Sequence, residues 1–270
     1  MEHFIWNIEP NILHYGSIQM RWYGLFFVGS FFLGLWLLQW IYKKEGKDPE
    51  MLDNLVIYTM VGVVVGARLM HCLAYEPEFY LSHPLEILKV WKGGLASHGG
   101  MLGSIVGIYL FSLHYKVPFF WILARTAIAG TITATMVRLG NFFNSEILGL
   151  PSDAPWAIIF SRVDMIPRHP VQLYEALGYF SLFLLMITIY KKASPHFATR
   201  VLPPLFLLYM FTLRFILEYF KTRQAGYISE LPFTTGQLLS LPFVLIGIVW
   251  ILWVFISKDN LKHLKKDNNL

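Results

Sequence analysis

Hydrophobic positions along this chain fall into long unbroken runs, with little of the alternation or narrow striping of a soluble domain. The first run, Trp22–Tyr42, is 21 residues without a charge. A hydrocarbon core needs about 20 such residues, so the run is long enough to span a bilayer. Further apolar runs at 55–75, 94–114, 117–143, 170–190, 201–220 and 236–257 bring the predicted spans to seven. The pattern therefore predicts an all-α fold, a polytopic membrane protein with about seven transmembrane helices, organised as a single transmembrane domain over 1–270. Trp22–Tyr42 lacks the charged leader and the small-residue cleavage site of a signal peptide, so it is read as a permanent span.

The links between runs set the direction. Lysines and arginines collect after the first, third and fifth runs (Lys43, Lys44, Lys47, Lys116, Lys191, Lys192, Arg200) and in the tail (Lys258, Lys262, Lys265, Lys266). Cytoplasmic loops carry this excess, which predicts an N-terminus outside and a C-terminus in the cytoplasm. Two outward links are long. Residues 76–93 hold Pro77, Pro84 and the apolar positions Leu85, Ile87, Leu88, Val90 and Trp91. That stretch is expected to lie in the interface as an arm. Residues 144–169, with Pro151, Pro155 and Pro167, are expected to form a small extracytoplasmic cap.

Composition agrees with a bilayer as solvent. Of the 270 residues 56% are hydrophobic and 14% charged, against roughly a quarter charged in soluble domains. Cys72 is the one cysteine, so neither an internal disulfide nor a thiolate metal cage can form. There is no Walker motif and no HExxH, and Leu95 breaks a nucleophile elbow around Ser97. Neither ATP nor a zinc protease is expected. No cofactor, no metal and no nucleic-acid partner is expected either.

Charge becomes informative once the polar residues are placed on the runs. Tyr23, Arg68 and His71, His98, Arg138 with Asn141 and Asn144, His169 with Gln172 and Glu175, Arg214 with Glu218, and Gln237 all fall toward the predicted outer ends. Ionisable groups inside a membrane are costly and usually face a protein interior or a wet cavity. Arg214 and Glu218, four apart, share a helix face and can pair. Arg68, Arg138 and Arg214 outnumber the carboxylates near them, an arrangement suited to an anion such as a phospholipid head group. Bland readings stand beside these. Arg68 can snorkel to the interface, His71 can be an interface residue, and Arg125 an interfacial anchor. Glu218 can be a structural partner, and Gly99, Gly100 and Gly103 can simply permit close helix packing.

The segments Gly-Gly-Leu-Ala-Ser-His-Gly-Gly (93–100), Arg-Leu-Gly-Asn-Phe-Phe-Asn-Ser-Glu (138–146) with Gly149, Arg-His-Pro-Val-Gln-Leu-Tyr-Glu (168–175), Arg-Phe-Ile-Leu-Glu (214–218) and Gly-Gln-Leu-Leu-Ser (236–240) together resemble the prolipoprotein diacylglyceryl transferase family of bacterial inner membranes. The resemblance runs from Arg21-Trp22-Tyr23-Gly24 to the last span. It implies transfer of the diacylglyceryl group of phosphatidylglycerol to the lipobox cysteine of a prolipoprotein signal peptide. It also implies catalytic roles for His98, Arg138 and Arg214, and substrate-binding roles for Tyr23, Arg138, Asn141, Glu146, Gly149 and Glu218. Two positions depart from the family pattern: the tyrosine before the late arginine is Tyr209, with Met210 where it often stands, and Ala124-Arg125 replaces an aspartate. His98 has two readings, general base for the thiol or orienter of lipid. The competing function is a transporter or flippase for an anionic lipid or solute, which would place polar residues through both halves of the bilayer.

Overall fold

The computed structural model describes residues 3–15, 18–222 and 233–257, and the side chains of Ile18, Ser97, His98 and Thr235 lie outside that description. The tail lysines counted for orientation also lie outside the described residues. In chain order the elements are β1 (Phe4–Trp6), β2 (Asn11–Tyr15), β3 (Ile18–Arg21), α1 (Trp22–Lys44), α2 (Met51–Met70), α3 (Pro77–Ser82), α4 (Ser97–Tyr115), α5 (Phe119–Phe143), β4 (Ile158–Phe160), β5 (Pro167–Arg168), α6 (Val171–Lys192), α7 (Pro195–Leu217) and α8 (Thr235–Ile256). The protein is a mostly helical, polytopic membrane protein. Among the described residues six helices are long and apolar enough to cross a membrane: α1, α2 with its continuation to Tyr75, α5, α6, α7 continued to Phe220, and α8. The predicted run at 94–114 corresponds to α4, whose 19 residues reach about 28 Å at the usual helical rise.

Helix ends follow local chemistry. Ser194 caps α7 by accepting from the Phe197 N–H, and Pro195 takes the first turn, where a missing N–H costs nothing. This cap starts α7 six residues before the apolar run at 201, and Pro203 and Pro204 are carried inside the helix. Thr234 and Gln237 form a reciprocal capping box at the start of α8. Lys116 adopts a left-handed conformation that ends α4.

The chain forms two compact units, 1–37 with 126–270, and 38–125. In the larger unit, five short strands accompany the helices. β1 runs parallel to β4 with Phe4 opposite Ile158 and Trp6 opposite Phe160, β5 pairs antiparallel to β4, and β2 and β3 form a hairpin. The predicted cap at 144–169 thus recruits the N-terminal strand, a pairing that apolar run lengths cannot register. Trp6 packs on Phe142 at 4.3 Å between ring centres, beside buried Ile158 and Phe160.

In the smaller unit α2 and α4 meet antiparallel through glycine. A side chain at Gly62 or Gly103 would strike the other's carbonyl group, and one at Gly66 or Gly99 likewise. Gly107 sits against the backbone of Tyr58 and Thr59. Without a hydrophobic drive between helices in lipid, such backbone approach supplies the van der Waals contact that holds them. These glycines therefore serve packing.

Arg68, at the end of α2, is only 3% exposed. It does not snorkel: its nitrogens donate to the carbonyls of Glu86 and Gly93 at 2.6 Å, Ile87 at 2.9 Å and Gly94 at 3.3 Å, and the group lies over Tyr80. It fastens the 76–93 segment to α2. Gly93 and Gly94 have positive φ, and a side chain on Gly94 would meet the His71 ring and Arg68 Nη1. Arg125 is likewise no interfacial anchor. Fully buried, it grips Glu45 through Nε at 3.0 Å and Nη2 at 2.9 Å, while Trp121 Nε1 donates to the same carboxylate at 2.6 Å.

Replacing Gly103 by Val should separate α2 from α4 and destabilise the protein by about 3 kcal/mol, the scale of overpacking where backbone cannot yield. Gly29, with open space around it, should accept Ala with little change. Thermal unfolding midpoints in detergent check both, and equal midpoints for wild type and Gly103→Val would refute the packing argument.

Candidate functional site

In the larger unit, the end of α5, the start of α6 and the end of α7 bring polar groups together. Arg138 and Asn141 lie three apart near the end of α5, and Arg138 Nη1 donates to Asn141 Oδ1 at 3.4 Å. Asn141 Nδ2 in turn donates to Glu146 Oε2 at 3.2 Å, and Asn144 Nδ2 to Glu146 Oε1 at 3.1 Å. Glu146 stands in a turn whose neighbours Ser145 and Ile147 both have φ of 55°. That conformation is costly for a β-branched residue. The turn is held by Glu146 N–H donating to the Asn141 carbonyl at 2.9 Å and by Gln172 Nε2 donating to the Glu146 carbonyl at 2.6 Å. Strain at this point aims an exposed carboxylate back at the α5 terminus.

Glu175, one turn into α6, has no exposed surface. Arg138 Nε lies 3.1 Å from its Oε2, and Lys221 Nζ donates to Oε1 at 2.7 Å. Tyr179, one turn further along α6, donates to Oε1 at 3.5 Å. The charges of Arg138 and Arg214 both bear on the Tyr179 hydroxyl. No carboxylate among the described residues pairs with Arg214. The Arg214–Glu218 pair that the four-residue spacing allows does not form. α7 ends at Leu217, Glu218 enters a tighter turn through Phe220, and its carboxylate faces Lys221 at 3.7 Å. Gly236 leaves room for that carboxylate, since a side chain there would meet Glu218 Oε1 at 2.6 Å. The α8 N-terminus so cleared is a favourable place for negative charge.

The backbone of 148–150 explains how Lys221 arrives. Leu150 N–H donates to the Phe220 carbonyl at 2.8 Å, Thr222 N–H to that of Leu148 at 3.2 Å, and His169 N–H to that of Leu150 at 3.0 Å. Gly149 lies against His169, whose carbonyl a side chain would strike, and its own carbonyl accepts from Arg168 Nη1 at 3.2 Å. Arg168 also donates to Asp164 at 2.5 Å. That bond, with a smaller contribution from the Ile166 N–H, holds the Asp164 carboxyl below its ordinary value of 3.8.

Tyr23, at the second position of α1, packs beside this motif. Gly140 is close enough that a side chain on it would lie 3.1 Å from Tyr23 Cα. An apolar cavity of about 700 Å³ lies along the α2–α4 glycine contact in the smaller unit. Another, of about 550 Å³, is lined by Leu33, Met136, Leu139, Leu173, Leu177 and Phe180. The second alternates in sequence with the polar cluster, Leu139 following Arg138 and Leu173 following Gln172. Tyr209 stands apart from the cluster, bonded to Ser181 at 2.6 Å. His98 occupies the first turn of α4, in the smaller unit, and its side chain lies outside the described residues. Among the described residues no group of three or more His, Cys, Asp or Glu is placed to hold a metal.

Lys221 and Tyr179 escape a reading of the sequence. Lys221 reads as an ordinary loop charge, although its three-residue spacing from Glu218 was available as a hint. Tyr179 reads as one more aromatic in a span.

A model of the prolipoprotein diacylglyceryl transferase family matches residues 10–253. The chain is 49% identical over 248 residues to the phosphatidylglycerol–prolipoprotein diacylglyceryl transferase of Tolumonas auensis, covering 92% of this chain and 96% of that one. It is 45% identical to the protein of the same name from Chloroherpeton thalassium (92% and 93% covered) and 40% identical to that of Bacteroides fragilis (91% and 93%).

The Asp164–Arg168 pair gives the cap a defined acid sensitivity. A carboxyl whose folded pKa is depressed stabilises the fold above its unfolded value, and that contribution is lost as pH falls from about 4 toward the lower folded value. Between pH about 5 and 3 the unfolding midpoint of wild type should fall more steeply than that of Arg168→Gln; parallel profiles would show the pair contributes nothing. Gly149→Ala should lower the midpoint at neutral pH, because the new methyl meets the His169 carbonyl.

Proposed function

Because the chain belongs to the prolipoprotein diacylglyceryl transferase family, we propose that it transfers the diacylglyceryl group of phosphatidylglycerol to the thiol of a prolipoprotein lipobox cysteine. The observation that carries the reading is the polar cluster at the end of α5, where Arg138, Asn141 and Glu146 are joined by hydrogen bonds, together with Arg214, with which no carboxylate among the described residues pairs. A guanidinium that no carboxylate pairs, in a partly dry site, attracts a phosphodiester.

The acyl chains stay in apolar surroundings, and the cavity beside Leu139 and Leu173 supports a place for one of them. Arg138 and Arg214 hold the phosphate. The cysteine thiol gives up its proton, and its sulfur attacks the glyceryl carbon that bears the phosphate ester. A carbon–sulfur bond forms, the carbon–oxygen bond breaks, and glycerol phosphate leaves with the bonding pair on oxygen. The released proton ends on the departing phosphate or on solvent. Charge on the leaving phosphate rises as the bond breaks, so arginines that bind it more tightly at that moment lower the barrier. A free thiol has a pKa near ~8.5, and thiolate is the nucleophile. Histidine is the side chain whose ordinary pKa lies nearest neutrality, and His98 takes the role of general base. Asn141, Glu146 and Tyr23 orient the head group, Gly149 and Glu218 shape its surroundings.

The same reading sets the chain in a bacterial cytoplasmic membrane as one multi-pass catalytic domain, with its N-terminus and the 144–169 cap outside. Residues 76–93 lie in the outer interface. Leu81, Leu85, Leu88 and Trp91 are each at least 70% exposed. Glu86 is tied to Lys89 and Lys92, which hold its carboxyl down at about 2.

Purified protein given labelled phosphatidylglycerol and a lipobox peptide should make the thioether, which a transporter would not. Arg138→Ala should lower kcat/KM at least about 100-fold while inserting normally, and near-normal lipidation by that variant would defeat the proposal. His98→Gln should lose both activity and the pH limb of its base; an unchanged profile with substantial activity would remove that role.

A further inference from the structure

The reading above leaves Glu175 and Lys221 without a task, yet they are the most deeply placed charges of the cluster. Glu175 is fully buried, and the Lys221 side chain is 8% exposed. An ionised carboxylate at such a site survives only if cations come to it. Two do, one on each oxygen: Lys221 Nζ at 2.7 Å on Oε1 and Arg138 Nε at 3.1 Å on Oε2. The two contacts differ in kind. The lysine donates an aligned hydrogen bond, whereas Oε2 accepts none, so the arginine is held there by charge alone. Its closest approach is through Nε, at the root of the guanidinium fork. Of the outer nitrogens, Nη1 makes a long bond of 3.4 Å to Asn141, and the guanidinium also bears on the Tyr179 hydroxyl.

We propose that Glu175 is a positioning residue for diacylglyceryl transfer: a buried carboxylate, anchored by Lys221, that holds Arg138 by the root of its fork and leaves the outer nitrogens for the phosphate. Lys221 fixes the carboxylate by a directed bond and is itself fixed by the Leu148–Leu150 backbone pairing with Phe220 and Thr222. Tyr179 steadies the shared oxygen. The carboxylate also offsets part of the positive charge around the site when no lipid is bound. Arginine and lysine divide the work by geometry: the planar fork has donors to spare on its outer edge, and the single ammonium does not.

The inference rests on the transferase reading, and its test separates the two. Transfer kinetics with phosphatidylglycerol and a lipobox peptide are measured for wild type, Glu175→Gln, Glu175→Asp and the double variant Glu175→Gln/Lys221→Met, each checked for its unfolding midpoint in detergent. Displacing a positioned group by about 1 Å can cost about 100-fold in rate. Glu175→Asp keeps the charge and withdraws it by one methylene, so kcat should fall about 100-fold while KM for the lipid changes less than about threefold, the pattern of an interaction used in the transition state. Glu175→Gln should fall as far. The double variant, which restores neutrality without restoring position, should remain within about threefold of Glu175→Gln. Near-wild-type kcat in Glu175→Asp or in the double variant would mean that Glu175 only balances the charge of Lys221, and would overturn the proposal. If Glu175→Gln does not fold, Glu175→Asp decides alone. Wild-type protein that makes no thioether would remove the transferase reading and this inference with it; active wild type with unaffected variants would remove the inference only.

Discussion

A carboxylate with no exposed surface cannot remain ionised in a low-dielectric interior without cations beside it, and much of the larger unit is arranged around that constraint. Glu175 draws Arg138 from the end of α5 and Lys221 from beyond α7. Lys221 can reach it only because residues 148–150 pair with 220–222 on one side and with 168–169 on the other. Gly149 has to be glycine for that backbone to close. The strained turn at Ser145 and Ile147 returns the chain from α5 to this pairing and presents Glu146 on the way. Breaking a buried pair by removing one partner usually costs about 3–5 kcal/mol, so the cluster ties the helix ends together as well as gathering charge.

Arginine serves three different ends in this protein, and its surroundings decide which. Arg68 spends its donors on four backbone carbonyls and fastens the 76–93 segment to α2. Arg125 is closed off by a bidentate carboxylate and an indole. Arg138 and Arg214 keep donors unspent. The capacity to bind an anion belongs to guanidinium groups whose donors the fold has left over, and counting arginines near one membrane level cannot tell these cases apart. Glycine divides in the same way: Gly93 and Gly94 allow a turn, Gly62, Gly66, Gly99 and Gly103 allow helix contact, and Gly149 and Gly236 clear space beside charge.

Several features are legible in the sequence. Run length and hydropathy located the helices to within a few residues, apart from the start of α7, because a bilayer demands a fixed length of apolar chain with its backbone bonded internally. Spacing placed Arg138 with Asn141 on one face of α5, and the segments around His98, Arg138, His169, Arg214 and Gly236 carried the family resemblance that the relatives bear out. Pairings were not legible. Glu218 went to Lys221 instead of Arg214 because the helix ended one residue earlier than the four-residue rule assumes. The N-terminal strand joined β4 across more than 150 residues of sequence, a contact that leaves no trace in local pattern.

The sequence by itself determined that the chain lives in a membrane, where its helices run, which family it belongs to and which residue types cluster at the helix ends, since all of these follow from local composition, period and motif. Only the tertiary structure decided which arginines are consumed by structure, that Glu175 is shared between Arg138 and Lys221, and that Arg214 keeps its charge without a carboxylate partner among the described residues. The reason is physical: burial and hydrogen-bond satisfaction are properties of where distant segments meet, and no position in a sequence carries them alone.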